Sequence, residues 1–264
     1  MRNYQRAIVT GASSGIGESF ARQLASEKVD LILVARRIEL LNKLALELRQ
    51  KYNVEVEVLA LDLTQTDSPE KLLTFATENG KTVDLLINNA GNGAYRAFLK
   101  TSLEEHINTL NLNLYSLTKL NHLFGHHMLA HKKPSSILNV ASVASYQPIP
   151  KFALYCGSKC FVRVFSEIFH YEMKTTNVSV TCLCPGGTAT DFLTTNNQKM
   201  KTSLSVLQSA AEVAAIGLKA SRNGKRVVVP GFFNKIQAFI PRLLPNFLNL
   251  KIAQIGMEIA IEEQ

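Results

Sequence analysis

The sequence predicts an α/β fold: a seven-stranded parallel sheet, doubly wound, with helices on both faces. Three observations carry the prediction. Short continuous apolar runs recur along the chain and alternate with amphipathic segments of helical period, the pattern of strands buried on both faces. The first of these runs, Ala7–Ile8–Val9, opens at once into a glycine turn and then a helix. Several later runs end in small or polar residues, as strands do at the carboxyl edge where open α/β sheets bind ligands.

In chain order, Ala7–Val9 is followed by Thr10-Gly11-Ala12-Ser13-Ser14-Gly15-Ile16-Gly17 and an amphipathic helix from Glu18 to about Ser26. Leu31 to Ala35 is a second strand, then a helix spans Ile38 to Tyr52. Val54 to Leu61 is a third strand closed by Asp62, Leu72 to Glu78 a helix, and Val83 to Ile87 a fourth strand ending in Asn88-Asn89-Ala90-Gly91. Leu103 to His131, uninterrupted by proline, reads as one long helix. Ile137 to Val140 is the fifth strand and leads into Ala141 and Ser142. A helix beginning near Tyr155 runs through Phe161, Val162, Val164, Phe165, Ile168 and Phe169. Val178 to Leu183, a helix over Glu212 to Ser221, and Arg226 to Val229 complete the alternation, with Pro185-Gly186 and Pro230-Gly231 after the last two strands. No internal repeat, low-complexity tract or linker divides the chain. The expected layout is one catalytic domain over 1–231 with a tail over 232–264.

Composition narrows the classes. With 264 residues, 46% of them apolar and 8% aromatic, the chain can build a substantial core, which excludes global disorder. Met1 to Arg6 is polar with no signal-peptide pattern, and no apolar run reaches the roughly 18 residues of a membrane span. An intracellular, cytoplasmic protein is expected. Cys156, Cys160, Cys182 and Cys184 read as small buried hydrophobes rather than a disulfide framework or metal site. His122, His126, His127 and His131 share the long helix at i, i+4 and i, i+5 spacings and read as an interface or solvent face, so no metal is expected. The net charge of +8 is concentrated: nine basic residues lie between Phe192 and Met257 against one acid, Glu212. That excess implies attraction to something anionic, whether a phosphorylated cofactor, an acyl carrier or a membrane surface. No nucleic-acid reading motif or stacking aromatic ladder accompanies it, so a nucleic-acid partner is rejected.

The chemistry centres on Tyr155 and Lys159, four apart and therefore one turn apart on a single helix face. A phenol titrating at about 10 is a poor acid or base near neutrality, and a nearby ammonium is expected to lower it; bringing it to about 7 takes roughly 4 kcal/mol of differential interaction. The glycine turn at Thr10–Gly17 has Gly-x-x-x-Gly-x-Gly spacing, which lets backbone approach a pyrophosphate seated at a helix N-terminus. After Ala35, neutral at the end of the second strand, come Arg36 and Arg37; a guanidinium suits the 2′-phosphate of NADP, where NAD usually meets an acid. Arg36 is the first choice as phosphate ligand, with Arg37 assisting.

Taken together, these motifs resemble the short-chain dehydrogenase/reductase family over Arg6 to Gly231: Thr10 to Gly17, Asp62, Asn88 to Gly91, Asn113, Ser142, Tyr155 with Lys159, and Pro185-Gly186 followed by Thr188 and Thr190. The resemblance implies a Rossmann-type sheet of order 3-2-1-4-5-6-7. It implies Tyr155 as proton donor/acceptor and Lys159 as its partner, also bonded to the nicotinamide ribose. Ser142 would bind the substrate carbonyl, and Asn113 would hold a relay water, with Asn111 as a rival. It implies cofactor contacts from Gly11, Ser13, Ser14, Gly15, Ile16 and Gly17, from Asp62 and Leu63 at adenine, and from Asn89, Ala90 and Gly91 at the adenosine ribose. Pro185, Gly186, Thr188 and Thr190 belong to the loop bracing the carboxamide. The implied activity is NADP(H)-dependent interconversion of a ketone and a secondary alcohol, in the direction of reduction, by a homodimer or homotetramer.

The basic substrate side and an apolar tail tilt the expected substrate towards a ketoacyl or other lipid-like ketone. The segment Asp191 to Gln208, with Phe192, Leu193, Met200 and Leu204 among polar residues, is expected to cover it. Pro241 and Pro245 forbid one continuous helix in the tail. It is open to packing over the cleft or on a sister subunit, or to peripheral contact with an anionic membrane. The rival functional classes are an NADP-binding sensor and a membrane-associated scaffold with little turnover.

Overall fold

The structure, a computed structural model, describes residues 2–190 and 207–260. Seven parallel strands form one sheet: β1 (Arg6–Thr10), β2 (Asp30–Ala35), β3 (Val56–Ala60), β4 (Leu85–Asn88), β5 (Ser135–Val140), β6 (Val178–Leu183) and β7 (Val227–Val228). Their order is 3-2-1-4-5-6-7, so the predicted fold class and sheet order are those observed. The helices are α1 (Gly15–Ser26), α2 (Ile38–Tyr52), α3 (Ser68–Thr77), α4 (Leu103–Leu110), α5 (Leu117–His131), α6 (Ala153–Glu172), α7 (Ala210–Arg222), α8 (Phe232–Phe239) and α9 (Asn246–Ala260).

The strands are apolar without alternation because both faces are covered. Ala7 and Val9 of β1 face one layer with Leu31 and Leu33 of β2, while Ile8, Ile32 and Val34 face the other. The first layer is closed by α1, α2 and α7 through Phe20, Leu24, Leu41, Leu48, Val213 and Leu218. The second is closed by Leu72 of α3 and by Leu120, Phe124 and Met128 of α5. The sheet order reverses between β1 and β4, which opens a crevice at their carboxyl ends.

Several boundaries differ from the sequence reading for local reasons. β3 and β7 are shorter than expected because each is an edge strand with a single neighbour. α3 starts four residues early, with Pro69 in its first turn where a missing N–H costs nothing. α7 starts at Ala210 because Ser209 and Glu212 form a capping box. The long helix is not continuous: a π-helical turn, Asn111–Ser116, joins α4 to α5. Cys160 is exposed, against the expectation of burial; Cys156, Cys182 and Cys184 are buried, the last two with sulfurs 3.6 Å apart. His127 Nε2 accepts from the Val83 N–H and His131 Nε2 bonds the Val83 carbonyl, so two of the four histidines brace β4. The segment 191–206, which contains Phe192, Leu193, Met200 and Leu204, lies outside the described residues.

A buried polar network ties β4, β5, α5 and α6 together beneath the crevice. Asn139 Oδ1 accepts from Asn88 Nδ2 (2.8 Å) and Asn121 Nδ2 (3.2 Å), and its own amide donates to Asn121 Oδ1 and Ser166 Oγ, both at 3.0 Å. Replacing Asn139 by leucine strands two buried polar groups, Asn88 Nδ2 and Asn121 Oδ1, and removes one bond from Ser166. An Asn139→Leu variant is expected to lose about 3 kcal/mol of stability or more, seen as a lower urea midpoint at unchanged slope.

Candidate active site

The carboxyl ends of β1 and β4 are locked together by Thr10, the first residue of the glycine motif, to which the sequence reading assigned no role. Its hydroxyl donates to the Ile87 carbonyl (3.1 Å) and accepts from the backbone N–H groups of Asn89 and Ala90, both at 3.0 Å. Asn89 returns the contact, its amide donating to the carbonyls of Thr10 (2.9 Å) and Gly11 (3.3 Å). The glycine loop is consequently folded tight. A Cβ at Gly17 would lie 2.2 Å from the Gly11 carbonyl oxygen and 2.6 Å from Asn89 Nδ2, so no other residue fits. Gly15 and Ile16 open α1, so its N-terminal turn, with no side-chain cap at Ser14, begins at the glycine loop, as an anion site requires.

At the end of β2 the two arginines behave differently. Arg37 Nη2 donates to Ser13 Oγ (2.9 Å) and Ser14 Oγ (2.8 Å), placing its guanidinium across the glycine loop. Arg36 stands exposed beside it. Arg37 is the cation that bonds the loop hydroxyls, and Arg36 makes no such bond. Asp62 holds its own turn, accepting from the Thr64 N–H and hydroxyl at 3.0 and 2.9 Å, and Leu63 is buried beneath. Pro185 accepts from the Val143 N–H at 2.8 Å, and Thr188 Oγ1 donates to the Gly186 carbonyl at 3.1 Å. Thr190 packs against Gly15, so this loop closes the crevice from the other side.

Ser142 sits at the exit of β5 in extended conformation, its hydroxyl accepting from the Ala144 N–H (3.1 Å) and hydrogen-bonded to the Tyr155 phenol. The Tyr155 ring stacks on Phe152 at 4.3 Å. Gly93 passes under it so closely that a Cβ there would lie 2.3 Å from Tyr155 Cδ2, another requirement not visible as a motif. Lys159 is buried, and its ammonium donates to the Val140 carbonyl at 2.9 Å while lying 5.7 Å from the Tyr155 ring centre.

Asn113 belongs to the π turn, the kind of local insertion found often at functional sites. It is buried, accepts from the Asn92 N–H (3.0 Å), and donates to the Asn92 carbonyl (2.8 Å) and Ser158 Oγ (3.0 Å). Ser158 in turn donates to the Tyr155 carbonyl at 2.8 Å. Gly91 lies where a Cβ would be 3.2 Å from Lys159 Nζ and 3.3 Å from Asn113 Oδ1, so the two side chains meet over one backbone atom. The tail also reaches the site: Ala253 and Met257 of α9 join an apolar cluster with Ala144, Ile149, Phe152, Tyr95 and Tyr155.

The electrostatics depart from the sequence expectation. Burial pushes the Tyr155 phenol up to about 12, against the lowering effect of its Ser142 hydrogen bond. Burial likewise brings the Lys159 ammonium down to about 8. Desolvation outweighs charge attraction because the ammonium is directed at a carbonyl rather than at the phenol oxygen.

The Lys159 shift has a consequence for folding. The folded state binds the proton less tightly than the unfolded chain, so the charge is a cost below pH 8, about 3 kcal/mol, that disappears as pH rises from about 8 through 10.5. A Lys159→Met variant is expected to unfold at higher temperature than the native chain at pH 7. The difference should shrink towards pH 10.5, and calorimetry across that range is the check.

The chain matches the profile of short chain dehydrogenase over residues 5–201. It is 31% identical over 255 residues to the very-long-chain 3-oxoacyl-CoA reductase-A of Danio rerio, covering 95% of this chain and 79% of that protein. A solved short-chain dehydrogenase from Sphingobium yanoikuyae in complex with NADPH superposes with a TM-score of 0.80 at 26% identity, over 90% of this chain and 93% of that one. A structure from Burkholderia phymatum in complex with NAD gives 0.78 at 23% identity, over 85% and 88% of the two chains, a likeness of fold alone. Because the matched stretch takes in the glycine loop, β1 to β6 and the Tyr155–Lys159 helix, the chain belongs to the short-chain dehydrogenase/reductase family of oxidoreductases.

Proposed function

We propose that the chain is an NADP(H)-dependent carbonyl reductase that converts a ketoacyl or other lipid-like ketone to the secondary alcohol. The observation that carries this reading is the Tyr155 phenol, hydrogen-bonded to Ser142 and one helical turn from the buried Lys159 ammonium. The residues present fit a phosphorylated dinucleotide. Gly17 lets the loop fold tightly over the start of α1, which would leave backbone N–H groups for a pyrophosphate, and Arg37 spans the Ser13 and Ser14 hydroxyls where a 2′-phosphate would add its charge. Asp62, Leu63, and Asn89 to Gly91 would flank the adenosine, and Pro185, Gly186, Thr188 and Thr190 the nicotinamide end.

When bound, the dinucleotide supplies a hydride to the carbonyl carbon. Tyr155 gives its proton to the carbonyl oxygen, and Ser142 hydrogen-bonds that oxygen as negative charge develops. Lys159 stabilises the phenolate left behind and returns a proton to it. Asn113, fixed by Asn92 and Ser158 with its carbonyl oxygen beside Lys159, serves the relay in preference to Asn111, which lies at the start of the same turn. The lipid-like substrate is supported by the apolar wall of Tyr95, Ile149, Phe152 and Met257 around Tyr155 and by the name of the Danio rerio relative. Self-association into a dimer or tetramer is part of the proposal, supported by the exposed apolar residues Ile107 of α4 and Phe161, Val164 and Ile168 of α6.

The test is NADPH oxidation by the purified chain across ketoacyl thioesters, ketosteroids, sugars and quinones. Tyr155→Phe is expected to lower kcat by about 10²–10⁴-fold. Arg37→Glu is expected to raise KM for NADPH at least about tenfold and leave KM for NADH nearly unchanged. Equal use of the two cofactors by the native chain would sink the NADP assignment. Reduction requires the Lys159 proton, so kcat/KM is expected to fall as pH rises through about 8; Lys159→Arg, which keeps its charge, should move that limb upward.

A further inference from the structure

We infer that α8 and α9 form an interfacial membrane anchor, and that the surface it docks on is an anionic lipid leaflet, with the mouth of the site facing that leaflet. A helix that is apolar all round is normally buried all round. Here α9 is apolar apart from Asn246, Asn249, Lys251, Gln254 and Glu258, yet among its described side chains only Asn249, Ala253 and Met257, spaced one turn apart, face the protein. Phe247, Leu248, Leu250, Ile252 and Ile255 are exposed. On α8, Phe232 and Phe233 are 72% and 83% exposed, and Ile236, Phe239 and Ile240 extend the same surface to Leu243. Clustered exposure of this extent marks an interaction surface rather than the scattered apolar residues of an ordinary exterior.

Charge selects the partner. Lys235 is exposed one turn from Phe232 and Phe239, and Lys251 lies between Phe247 and Ile255 at i±4. Both are placed to seat aliphatic stems among apolar neighbours and send ammonium groups to phosphate. No aspartate or glutamate occurs between Glu212 and Glu258. Among the described residues from Phe232 to the end of α9, Glu258 is the one acid against Lys235, Arg242 and Lys251, an excess of positive charge that anionic headgroups complement and a second copy would oppose. No helix among the described residues is long and apolar enough to cross a bilayer, so the element lies in the interface plane.

The mount is firm. Asn249 Nδ2 donates to the carbonyls of Pro241 (2.8 Å) and Leu244 (3.2 Å), fixing α9 to the turn after α8. Asn234 Nδ2 donates to the Pro230 carbonyl (2.8 Å) beyond β7, and the Arg242 guanidinium stacks on the Tyr146 ring at 5.0 Å. Because the inner face of α9 carries Met257 into the apolar cluster around Tyr155, an apolar substrate passes from leaflet to site along one helix. The docking itself does not rest on the reductase reading; only this route does.

The chain has no tryptophan, so Phe233→Trp gives a single reporter at an exposed position. With phosphatidylcholine vesicles containing phosphatidylserine, the full chain is expected to cosediment, and the Phe233→Trp emission to shift blue and be quenched by brominated acyl chains. Lys235→Glu with Lys251→Glu should weaken vesicle affinity at least about tenfold with an unchanged thermal melt. Chain that stays in the supernatant at low salt with unmoved emission overturns the inference. So does equal binding to neutral vesicles, or a Phe233→Asp variant whose only change is a halved mass in analytical ultracentrifugation, which would assign the face to a second copy. Vesicle binding without turnover of any ketone would leave the anchor standing and remove the reductase.

Discussion

A lysine ammonium held away from water is the constraint on which the site depends. Burial brings Lys159 down to about 8, so near neutrality the fold keeps a charge it is not well equipped to solvate. Among the described residues its one direct hydrogen bond is to the Val140 carbonyl at the last residue of β5, which places it at the carboxyl edge of the sheet. Asn113 belongs to the π turn between α4 and α5, and Gly91 keeps the gap between it and Lys159 free of side chain. Helix register, strand end and glycine are thus set by one cation.

Rigidity at that edge comes from polar groups satisfied within the protein. Thr10 uses its hydroxyl as donor and as double acceptor to pin β1 to the turn after β4, and Asn89 closes the same junction from the other side. One layer deeper, Asn88, Asn121, Asn139 and Ser166 pair among themselves between the sheet and α5 and α6. Such networks stiffen the groups they pair, and in this one Asn88 Oδ1 is left without a partner among the described residues. Here they lie directly below the groups that must hold their spacing to a fraction of an ångström for proton transfer.

The fold was legible because strands buried on both faces leave a signal that needs no tertiary information, as in Leu31 to Ala35, and helices one-sided leave another. Tyr155, Lys159, Ser142 and the glycine loop were legible because their spacing is local. The features that were not share a cause: they depend on what lies across space. The π turn adds its residue without disturbing the apolar pattern of Leu103 to His131. Which arginine reaches Ser13 and Ser14 follows from where the chain turns after Ala35, which Arg36 and Arg37 do not disclose as letters. Gly93 and Ser158 carry no motif of their own, and their importance appears only once the Tyr155 ring and Asn113 are placed. The direction of the Tyr155 shift was misread for the same reason, since i, i+4 spacing gives proximity but not the aim of the ammonium.

That reversed shift makes better chemistry than the expected one. A phenol lowered towards neutrality would lose part of its proton before a ketone arrived, leaving a fraction of the protein unable to donate. With Tyr155 at about 12 and Lys159 at about 8, the phenol is fully protonated near neutrality and the lysine is the stronger acid. Once Tyr155 has given its proton away, transfer from Lys159 to the phenolate is downhill. The two shifts have a single origin in burial, which favours the neutral form of each group: protonated for a phenol, deprotonated for an amine. Excluding water from one helix face therefore gives the proton a direction, from lysine to tyrosine to substrate oxygen, as reduction of a carbonyl requires.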